Sequence, residues 1–290
     1  MTVPRGHLKN DRGGQAAFFL ENIMNNRWNT HLDHAVEAAF RAGNFQRLHF
    51  ATQIRVEMKG DKDLVTEVDR ESERIIVEYL HSHFPDSNVL AEEGEYSRSG
   101  SSLRWVIDPV DGTTNYAHGF PWFCTSIALE ADGELVAGVI YNPIYNEMFT
   151  ATKGGGTFLN GRRLHVSTHV PLRDSLLGTG FPYDCASDPA NNFDSFIAFQ
   201  KAARGIRRAG AAALDLASVA AGRLDGFWEL KLKPWDVAAG LLMVLEAGGV
   251  VTGFDGSAYN MMDHRILASN GLIHNEMISV LGMTGTGGTP

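Results

Sequence analysis

Residues 105–122 contain the feature that most limits how this chain folds, an apolar run that stops at two nearby acids, WVIDPVDGTTNYAHGFPW. The run at 105–107 has the apolar character of a buried strand. It ends at Asp108 and Asp111, and Pro109 prevents a regular strand from continuing. Two carboxylates that converge at a strand end repel each other unless solvent or a cation offsets their charge. By itself the segment predicts either a solvated turn or a cation site.

The residues that follow favour the cation site. Gly112 permits a close backbone approach, and Thr113 begins a small polar segment of the kind that opens a helix. The exposed N–H groups at such a position suit a phosphate. The candidate ligands are carboxylate oxygens, which favour a hard ion such as Mg²⁺ over Zn²⁺. The segment therefore predicts a place where a metal ion meets a phosphate ester.

Three other acidic segments are candidates for the same site. Glu92 and Glu93 follow the apolar run NVLA, a second strand that ends in charge. Asp69 lies in LVTEVD, at the start of a helix whose surface tolerates any Asp. Asp236, in KPWDVAAG, lies at a predicted helix N-terminus, where capping and metal binding are equally open interpretations.

Composition excludes several classes of protein. The 290 residues carry a net charge of −9 and are 44% hydrophobic, which indicates a globular protein and argues weakly against a nucleic-acid-coating surface. The two cysteines lack metal-site spacing, which predicts a reducing compartment without disulfides, and Cys124 is predicted to be a core residue. No apolar run reaches the roughly 18 residues of a membrane span, and the N-terminus lacks a signal-peptide pattern. We expect a cytoplasmic protein without membrane or direct nucleic-acid partners.

Periodicity predicts the order of the elements. Helices are expected over HLDHAVEAAFRAGNF and over a second segment whose apolar positions begin at Val65. Asp132-Gly133 predicts a β-hairpin, and the glycines at 154–156 predict a tight turn rather than a phosphate cradle. Mixed strands and helices favour an α+β layered sandwich over a doubly wound sheet. The predicted divisions are a poorly ordered extension (1–30), an α+β half with most metal ligands (31–164), an α/β half completing the substrate pocket (165–282) and a flexible tail (283–290).

Five ordered motifs carry a resemblance to a known family: DLVTEVD, LAEEG, WVIDPVDGTTNYAHGFP, LDGFWEL and PWDVAAGLLMVLEAGG. Over about residues 31–280 the chain resembles the inositol monophosphatase family. The resemblance implies a layered αβαβα sandwich of the inositol monophosphatase and fructose-1,6-bisphosphatase type. It also implies a lithium-sensitive, Mg²⁺-dependent phosphomonoesterase, usually homodimeric, that hydrolyses a small phosphorylated polyol, inositol monophosphate, with a metal-activated water.

The resemblance also implies a role for each matching residue. Two or three Mg²⁺ ions are expected, held by Glu92, Asp108, the Val110 carbonyl, Asp111 and Asp236. The implied catalytic residues are Glu92, Thr113, Asp69 and Asp111. The implied substrate-binding residues are Glu92, Val110, Asp111, Gly112, Thr113, Gly210, Ala211, Ala212, Glu229 and Asp236.

Two positions depart from the family pattern. Ala211 stands where the family often has Thr or Ser, so one polar contact with the substrate is expected to be missing. The segment between Lys59 and Asp63 is one residue shorter than the family spacing, which argues against a role for Lys59 near the metals.

Several alternatives stay open from the sequence. Sibling phosphatases act on fructose 1,6-bisphosphate, histidinol phosphate or a 3′-phosphoadenylate, although Glu229 in FWEL favours a polyol. A close bacterial relative also serves as a partner of the transcription machinery. A third interpretation is a metal-binding protein without enzymatic activity. It is disfavoured because it gives no reason for a turn suited to phosphate at Gly112 and Thr113.

Overall fold

The computed structural model describes residues 26–52, 56–58, 64–96 and 100–284. The predictions made for residues 1–25, Lys59 and residues 285–290 lie outside this part of the chain. A short hairpin joins β1 (Val56–Met58) to β2 (Leu64–Thr66). The other strands form one sheet of eight strands and one of five.

The larger sheet has the order β10-β9-β8-β7-β6-β5-β3-β4. Its strands pair antiparallel except β3 with β5, which run parallel. The predicted hairpin at Asp132 is confirmed, since β6 and β7 pair on either side of it. The strands are β3 (Asn88–Ala91), β4 (Glu95–Tyr96), β5 (Leu103–Asp111), β6 (Cys124–Ala131), β7 (Glu134–Asn142), β8 (Glu147–Thr152), β9 (Gly156–Leu159) and β10 (Arg162–Arg163).

The smaller sheet has the order β12-β11-β13-β15-β14. Strand β11 runs parallel to both neighbours, whereas β15 is antiparallel to β13 and β14. The strands are β11 (Leu176–Thr179), β12 (Gly205–Arg207), β13 (Gly226–Leu230), β14 (Val250–Thr252) and β15 (Arg265–Ser269).

The helices form three layers around the two sheets, which confirms the predicted αβαβα sandwich. One outer layer is α1 (Asn29–His49) and α2 (Glu67–His83), packed on the larger sheet. The short helix α3 (Thr113–Ala117) follows β5. The middle layer is formed by α5 (Ala212–Ala220) and α6 (Pro234–Glu246). The other outer layer is α4 (Phe193–Ala202) and α7 (His274–Met283). None of the helices within the described ranges combines the length and apolarity needed to cross a membrane.

The start of α2 differs from the prediction. Val65 lies in β2 rather than in the helix, because Thr66 is the N-cap. The Thr66 hydroxyl accepts a hydrogen bond from the Val68 N–H at 3.1 Å, and the Asp69 carboxylate accepts one from the Thr66 N–H at 2.9 Å. This reciprocal capping box ends the strand and begins the helix. It also fixes the Asp69 side chain at the helix start.

The glycine-rich turn before β9 is a turn, as predicted, and its N–H groups are occupied from within the chain. The Glu246 carboxylate, at the end of α6, accepts hydrogen bonds from Gly154 N–H at 2.7 Å and Gly156 N–H at 2.9 Å. A carboxylate of the chain therefore takes the place that a phosphate would need, and the turn ties β8 and β9 to the middle layer.

Strand β5 contains a bulge at the acidic segment. Asp108 lies opposite Ser126 and Asp111 lies opposite Cys124, so a step of three residues in β5 faces a step of two in β6. Residues three apart in a regular strand point to opposite faces. The extra residue restores the alternation and lets Asp108 and Asp111 approach each other at one edge of the sheet.

Candidate active site

Asp108 is a buried carboxylate at the bulge of β5. Its side chain is 3% exposed, and its Oδ1 accepts a hydrogen bond from the Val110 N–H at 3.0 Å. Burial, and after it the charge of Glu92 and then of Asp111, raises the pKa of Asp108 well above its usual value. Asp236 and Asp69 act in the same direction. The bulge thus gathers the acids that the sequence predicts, at a high electrostatic cost.

Asp111 caps the helix α5 from 101 residues away. Its Oδ1 accepts a hydrogen bond from the Ala212 N–H at 3.2 Å and its Oδ2 accepts one from the Ala213 N–H at 2.8 Å. Ala211, the N-cap residue of α5, has no side-chain acceptor of its own. Burial raises the pKa of Asp111 to about 6, and the two N–H donors and the Cys124 thiol oppose that rise. These donors therefore favour the charged form of Asp111.

Thr113 and Asp69 form a hydrogen-bonded pair beside these acids. The Thr113 hydroxyl lies 2.8 Å from Asp69 Oδ1 and 3.0 Å from the Val110 carbonyl oxygen, both acceptors for its proton. The other oxygen of Asp69 accepts hydrogen bonds from the N–H and hydroxyl of Thr66. Burial raises the pKa of Asp69, which makes its carboxylate a stronger base. The structure therefore brings together the predicted catalytic threonine and aspartate.

Glu92 and Asp236 approach Asp108 from two other elements. Glu92 follows β3, where its N–H donates to the Ile107 carbonyl at 3.2 Å. Asp236 lies in the first turn of α6, and its Oδ2 accepts a hydrogen bond from the Lys233 N–H at 2.7 Å. The capping role left open by the sequence is thus present, and the charge of Asp236 still reaches Asp108.

Gly112 packs closely against the predicted substrate segment. Its φ is +96°, and a Cβ built there would lie 3.2 Å from the Gly210 carbonyl oxygen. Asn115 joins the same two segments, since its Nδ2 donates to the carbonyls of Trp122 at 2.7 Å and Ala209 at 2.9 Å. The sequence shows Asn115 in the GTTN segment but does not by itself reveal this bridging role.

Glu229 lies on β13, is 9% exposed, and faces Gly180. A Cβ on Gly180 would lie 2.0 Å from Glu229 Oε1, so a side chain there would displace the carboxylate. Burial, followed by the charges of Asp215 and Asp236, raises the pKa of Glu229 well above its usual value, and Arg208 opposes that rise. Sequence reasoning missed Asp215, which is 2% exposed in the otherwise apolar helix α5. Its signal was a lone charge within AAALDLAS.

The donor set fits a hard cation. The acids that raise the pKa of Asp108 are all carboxylates, and the Val110 carbonyl is the neighbouring neutral oxygen. Among the described residues, no group of three or more Asp, Glu, His or Cys side chains is already arranged to hold a metal ion. Asp111 and Asp236 instead accept backbone N–H bonds. Ion binding here would require Asp111 and Asp236 to turn toward Asp108, and the bound cation would offset the repulsion between the carboxylates.

Buried carboxylates beside the Gly112 turn of an αβαβα sandwich agree with a phosphomonoesterase, the class that the comparisons with known proteins support. The family model described as "Inositol monophosphatase family" matches residues 28–282. The chain belongs to the inositol monophosphatase family, whose members are generally metal-dependent, and it is a phosphoric monoester hydrolase.

Named relatives agree with this assignment over most of the chain. An inositol-1-monophosphatase from Synechocystis sp. is 44% identical over 257 residues, covering 88% of this chain and 90% of that protein. A Nus factor SuhB from Pseudomonas aeruginosa is 47% identical over 246 residues, 82% of this chain and 91% of that protein. The structure of an inositol monophosphatase from Anabaena (Nostoc) sp. superposes with a TM-score of 0.81 at 40% identity, covering 89% of this chain and 97% of that one.

Proposed function

We propose that this hydrolase releases phosphate from inositol monophosphate in a Mg²⁺-dependent reaction. The observation that carries the proposal is the Thr113 hydroxyl, which lies between the Asp69 carboxylate and the Val110 carbonyl beside the buried Asp108. This arrangement supports a proton relay beside oxygen ligands, which metal-assisted attack of water on a phosphate would require. The Synechocystis relative named inositol-1-monophosphatase supports the choice of substrate.

Two or three Mg²⁺ ions are proposed. Glu92, Asp108 and the Val110 carbonyl would hold the first, and Asp108, Asp111 and Asp236 the second, while Asp69 would reach a third ion near Glu92 through water. When bound, Mg²⁺ would lower the pKa of the attacking water and stabilise negative charge on the phosphate and leaving oxygens. The raised pKa of Asp108 supports this ligand set, because a cation is the partner that offsets such repulsion.

The chain's own residues would orient the water and take its proton. Thr113 would accept a proton from the water while donating its own to Asp69, and the raised pKa of Asp69 suits it to receive that proton. Glu92 and Asp111 would help to orient the water. The new P–O bond forms as the ester P–O bond breaks, and the departing inositol oxygen takes up a proton.

The substrate would lie between the two halves of the chain. The N–H groups of Gly112 and Thr113 would bind the phosphate, alongside Glu92, Val110, Asp111 and Asp236. Glu229 would accept hydrogen bonds from ring hydroxyls, and Gly210, Ala211 and Ala212 would line the pocket. The close packing of Gly112 against Gly210 supports a single continuous pocket. The absence of a hydroxyl on Ala211 removes one possible substrate contact.

A substrate panel tests this proposal. Phosphate release would be measured with inositol 1-phosphate, fructose 1,6-bisphosphate, histidinol phosphate and 3′-phosphoadenosine 5′-phosphate, each with Mg²⁺, with EDTA, and with Mg²⁺ plus Li⁺. We expect the highest kcat/KM for inositol 1-phosphate, complete loss in EDTA and suppression by Li⁺. If another ester gave a higher kcat/KM, that ester would be the preferred substrate, and the protein would still be a phosphomonoesterase.

The 47% identity to a protein named as a Nus factor favours a second role as a partner of the transcription machinery. Affinity capture from native lysate, followed by mass spectrometry, tests it with a catalytically inactive variant as bait. Enrichment of RNA polymerase subunits by both wild type and variant supports the role, and their absence from both contradicts it.

We also propose a homodimer in the cytoplasm. The two cysteines without disulfide spacing support a reducing compartment, and the family resemblance supports the dimer. Analytical ultracentrifugation would give twice the chain mass for a dimer and the chain mass if the proposal is wrong.

A further inference from the structure

Gln46 is a fully buried polar residue of α1 that reaches the acidic bulge of β5. It is 0% exposed, and its Nε2 donates a hydrogen bond to the Pro109 carbonyl oxygen at 2.8 Å. The same amide nitrogen lies 2.8 Å from Thr125 Oγ1, which itself donates to the Pro109 carbonyl at 3.1 Å. Because a carbonyl accepts only, the group of Gln46 that faces it is the NH₂.

Side chains, rather than the ladder between β5 and β6, make the hydrogen bonds to the Pro109 backbone. Pro109 lies between the ladder positions Asp108 and Asp111, where the pairing with β6 changes register. Its ring leaves it without an N–H, so it cannot donate to a neighbouring strand. Its carbonyl is held instead by Gln46, from a helix 63 residues earlier, and by Thr125 from β6.

The geometry connects Gln46 to Asp108 through one peptide group. The Pro109 carbonyl and the Val110 N–H belong to the same planar unit, so the direction of one fixes the direction of the other. That N–H donates to Asp108 Oδ1 at 3.0 Å. The backbone carbonyl of Gln46 also accepts a hydrogen bond from the Tyr116 hydroxyl at 2.8 Å, which ties α3 to the same point of α1.

The amide of Gln46 is not explained by packing alone. Its Oε1 is buried and has no hydrogen-bond partner among the described residues. An orphaned buried acceptor destabilises a fold, and an apolar side chain of the same size avoids that cost. The amide is therefore retained at a cost in stability, which points to a role for its N–H donors.

We propose that Gln46 is a positioning residue for the metal site: through the Pro109–Val110 peptide, it holds the Asp108 carboxylate in the orientation that binds Mg²⁺. This inference rests on the proposed function, because Asp108 is a Mg²⁺ ligand only there. Gln46 is not among the proposed contacts of the ion or the substrate, so its effect is expected in Mg²⁺ affinity rather than in the substrate KM.

Isothermal titration of the metal-free protein with Mg²⁺ tests this role in Gln46→Met, which keeps the volume and removes the donor. We expect Mg²⁺ affinity to fall at least fivefold, while the Tm in EDTA stays equal to that of the wild type or rises. Ser72→Ala is the matched control, because it removes a different contact of the Gln46 amide, at 3.3 Å, and leaves Pro109 untouched. Its Mg²⁺ affinity should stay within twofold of the wild type.

The outcomes separate the inference from the proposed function. Wild-type protein that binds no Mg²⁺ contradicts the proposed function itself. Wild type that binds Mg²⁺, with Gln46→Met binding equally well, overturns the positioning role alone, as does an equal loss in Gln46→Met and Ser72→Ala. If Gln46→Met does not fold, Thr125→Val removes the other donor to the same carbonyl. A loss of Mg²⁺ affinity in that variant without a loss of Tm supports the role, and an unchanged affinity overturns it.

Discussion

The Thr113 hydroxyl donates a hydrogen bond of 2.8 Å to Asp69 Oδ1, although 44 residues separate the two along the chain. Asp69 is held by the capping box that starts α2, and Thr113 begins α3 directly after the bulge of β5. The meeting of two helix starts therefore creates a hydrogen-bonded pair next to the buried Asp108, and this pair is the proton relay that we propose. The capping box of α2 and the bulge of β5 hold these two side chains together, and both features also determine the local backbone structure.

Removing the Thr113 hydroxyl should abolish most catalysis while leaving the fold intact. Thr113→Val keeps the shape of the side chain but cannot pass a proton to Asp69, so we expect kcat to fall by about 10²–10⁴, the usual contribution of general base catalysis. The KM should change little. Thr113→Ser, which keeps the hydroxyl, is the control and should retain most of the activity. Steady-state kinetics in Mg²⁺ measure both, and a similar kcat for Val and Ser variants would contradict the relay.

Neutralising Asp108 should stabilise the metal-free protein. Burial and neighbouring carboxylates raise its pKa, and each unit of such a shift is worth about 1.4 kcal/mol. Asp108→Asn removes this repulsion, so its Tm in EDTA should exceed that of the wild type. Mg²⁺ should raise the Tm of the wild type and leave the variant unchanged. Thermal denaturation with and without Mg²⁺ measures both effects, and an equal Mg²⁺-induced rise in the variant would remove Asp108 from the ligand set.

The metal-free protein should lose stability as the pH rises from about 4 to above 6. Asp111 has a pKa raised from 3.8 to about 6 in the folded state, so the folded protein holds a proton that the unfolded chain has released. A raised pKa contributes stability that is complete below the unfolded value and is lost as the pH rises through the folded value. Asp111→Asn cannot titrate and should show a smaller loss over this range.

The measurement is the Tm in EDTA at a series of pH values for both proteins. Other groups titrate in the same pH range. The contribution of Asp111 is therefore measured by the difference in Tm between the wild type and Asp111→Asn at each pH. Parallel curves would mean that Asp111 does not titrate with a raised pKa. Added Mg²⁺ should flatten the wild-type curve, because a bound cation favours the charged carboxylate.

A side-chain cap at residue 211 should stabilise α5. Ala211 is the N-cap and supplies no acceptor, and Asp111 covers only the Ala212 and Ala213 N–H groups. Ala211→Ser adds a hydroxyl at a position where Ser is strongly preferred, so we expect a gain of about 0.5–1 kcal/mol in the free energy of unfolding. Urea denaturation measures it. A loss of stability would mean that the 2% exposed site has no room for the oxygen.

Local sequence patterns predicted the layers and the hairpin at Asp132. The run at 105–107 lies in a strand, as expected, but β5 continues through Pro109 to Asp111, because a bulge accommodates the proline. The start of α2 was misplaced at Val65 because periodicity does not show where a capping threonine ends a strand. The acidic residues were found because charge at the end of an apolar run is visible in the sequence.

The supporting residues could not be found in this way. Gln46, Asn115 and Gly180 act on segments between 7 and 94 positions away, and nothing in their own surroundings marks them. Gly180, for instance, is required by the Glu229 carboxylate that packs against it, a contact created by the pairing of β11 with β13. Such roles depend on tertiary contacts rather than on local pattern.

The most direct test of the central claim compares phosphate release from inositol 1-phosphate by the wild type and by Asp111→Asn, each in Mg²⁺ and in EDTA. We predict Mg²⁺-dependent turnover by the wild type, none in EDTA, and a rate near background for a folded Asp111→Asn under both conditions. Normal turnover by Asp111→Asn in Mg²⁺, or equal rates for the wild type in Mg²⁺ and EDTA, would contradict a reaction that depends on metal held by these carboxylates.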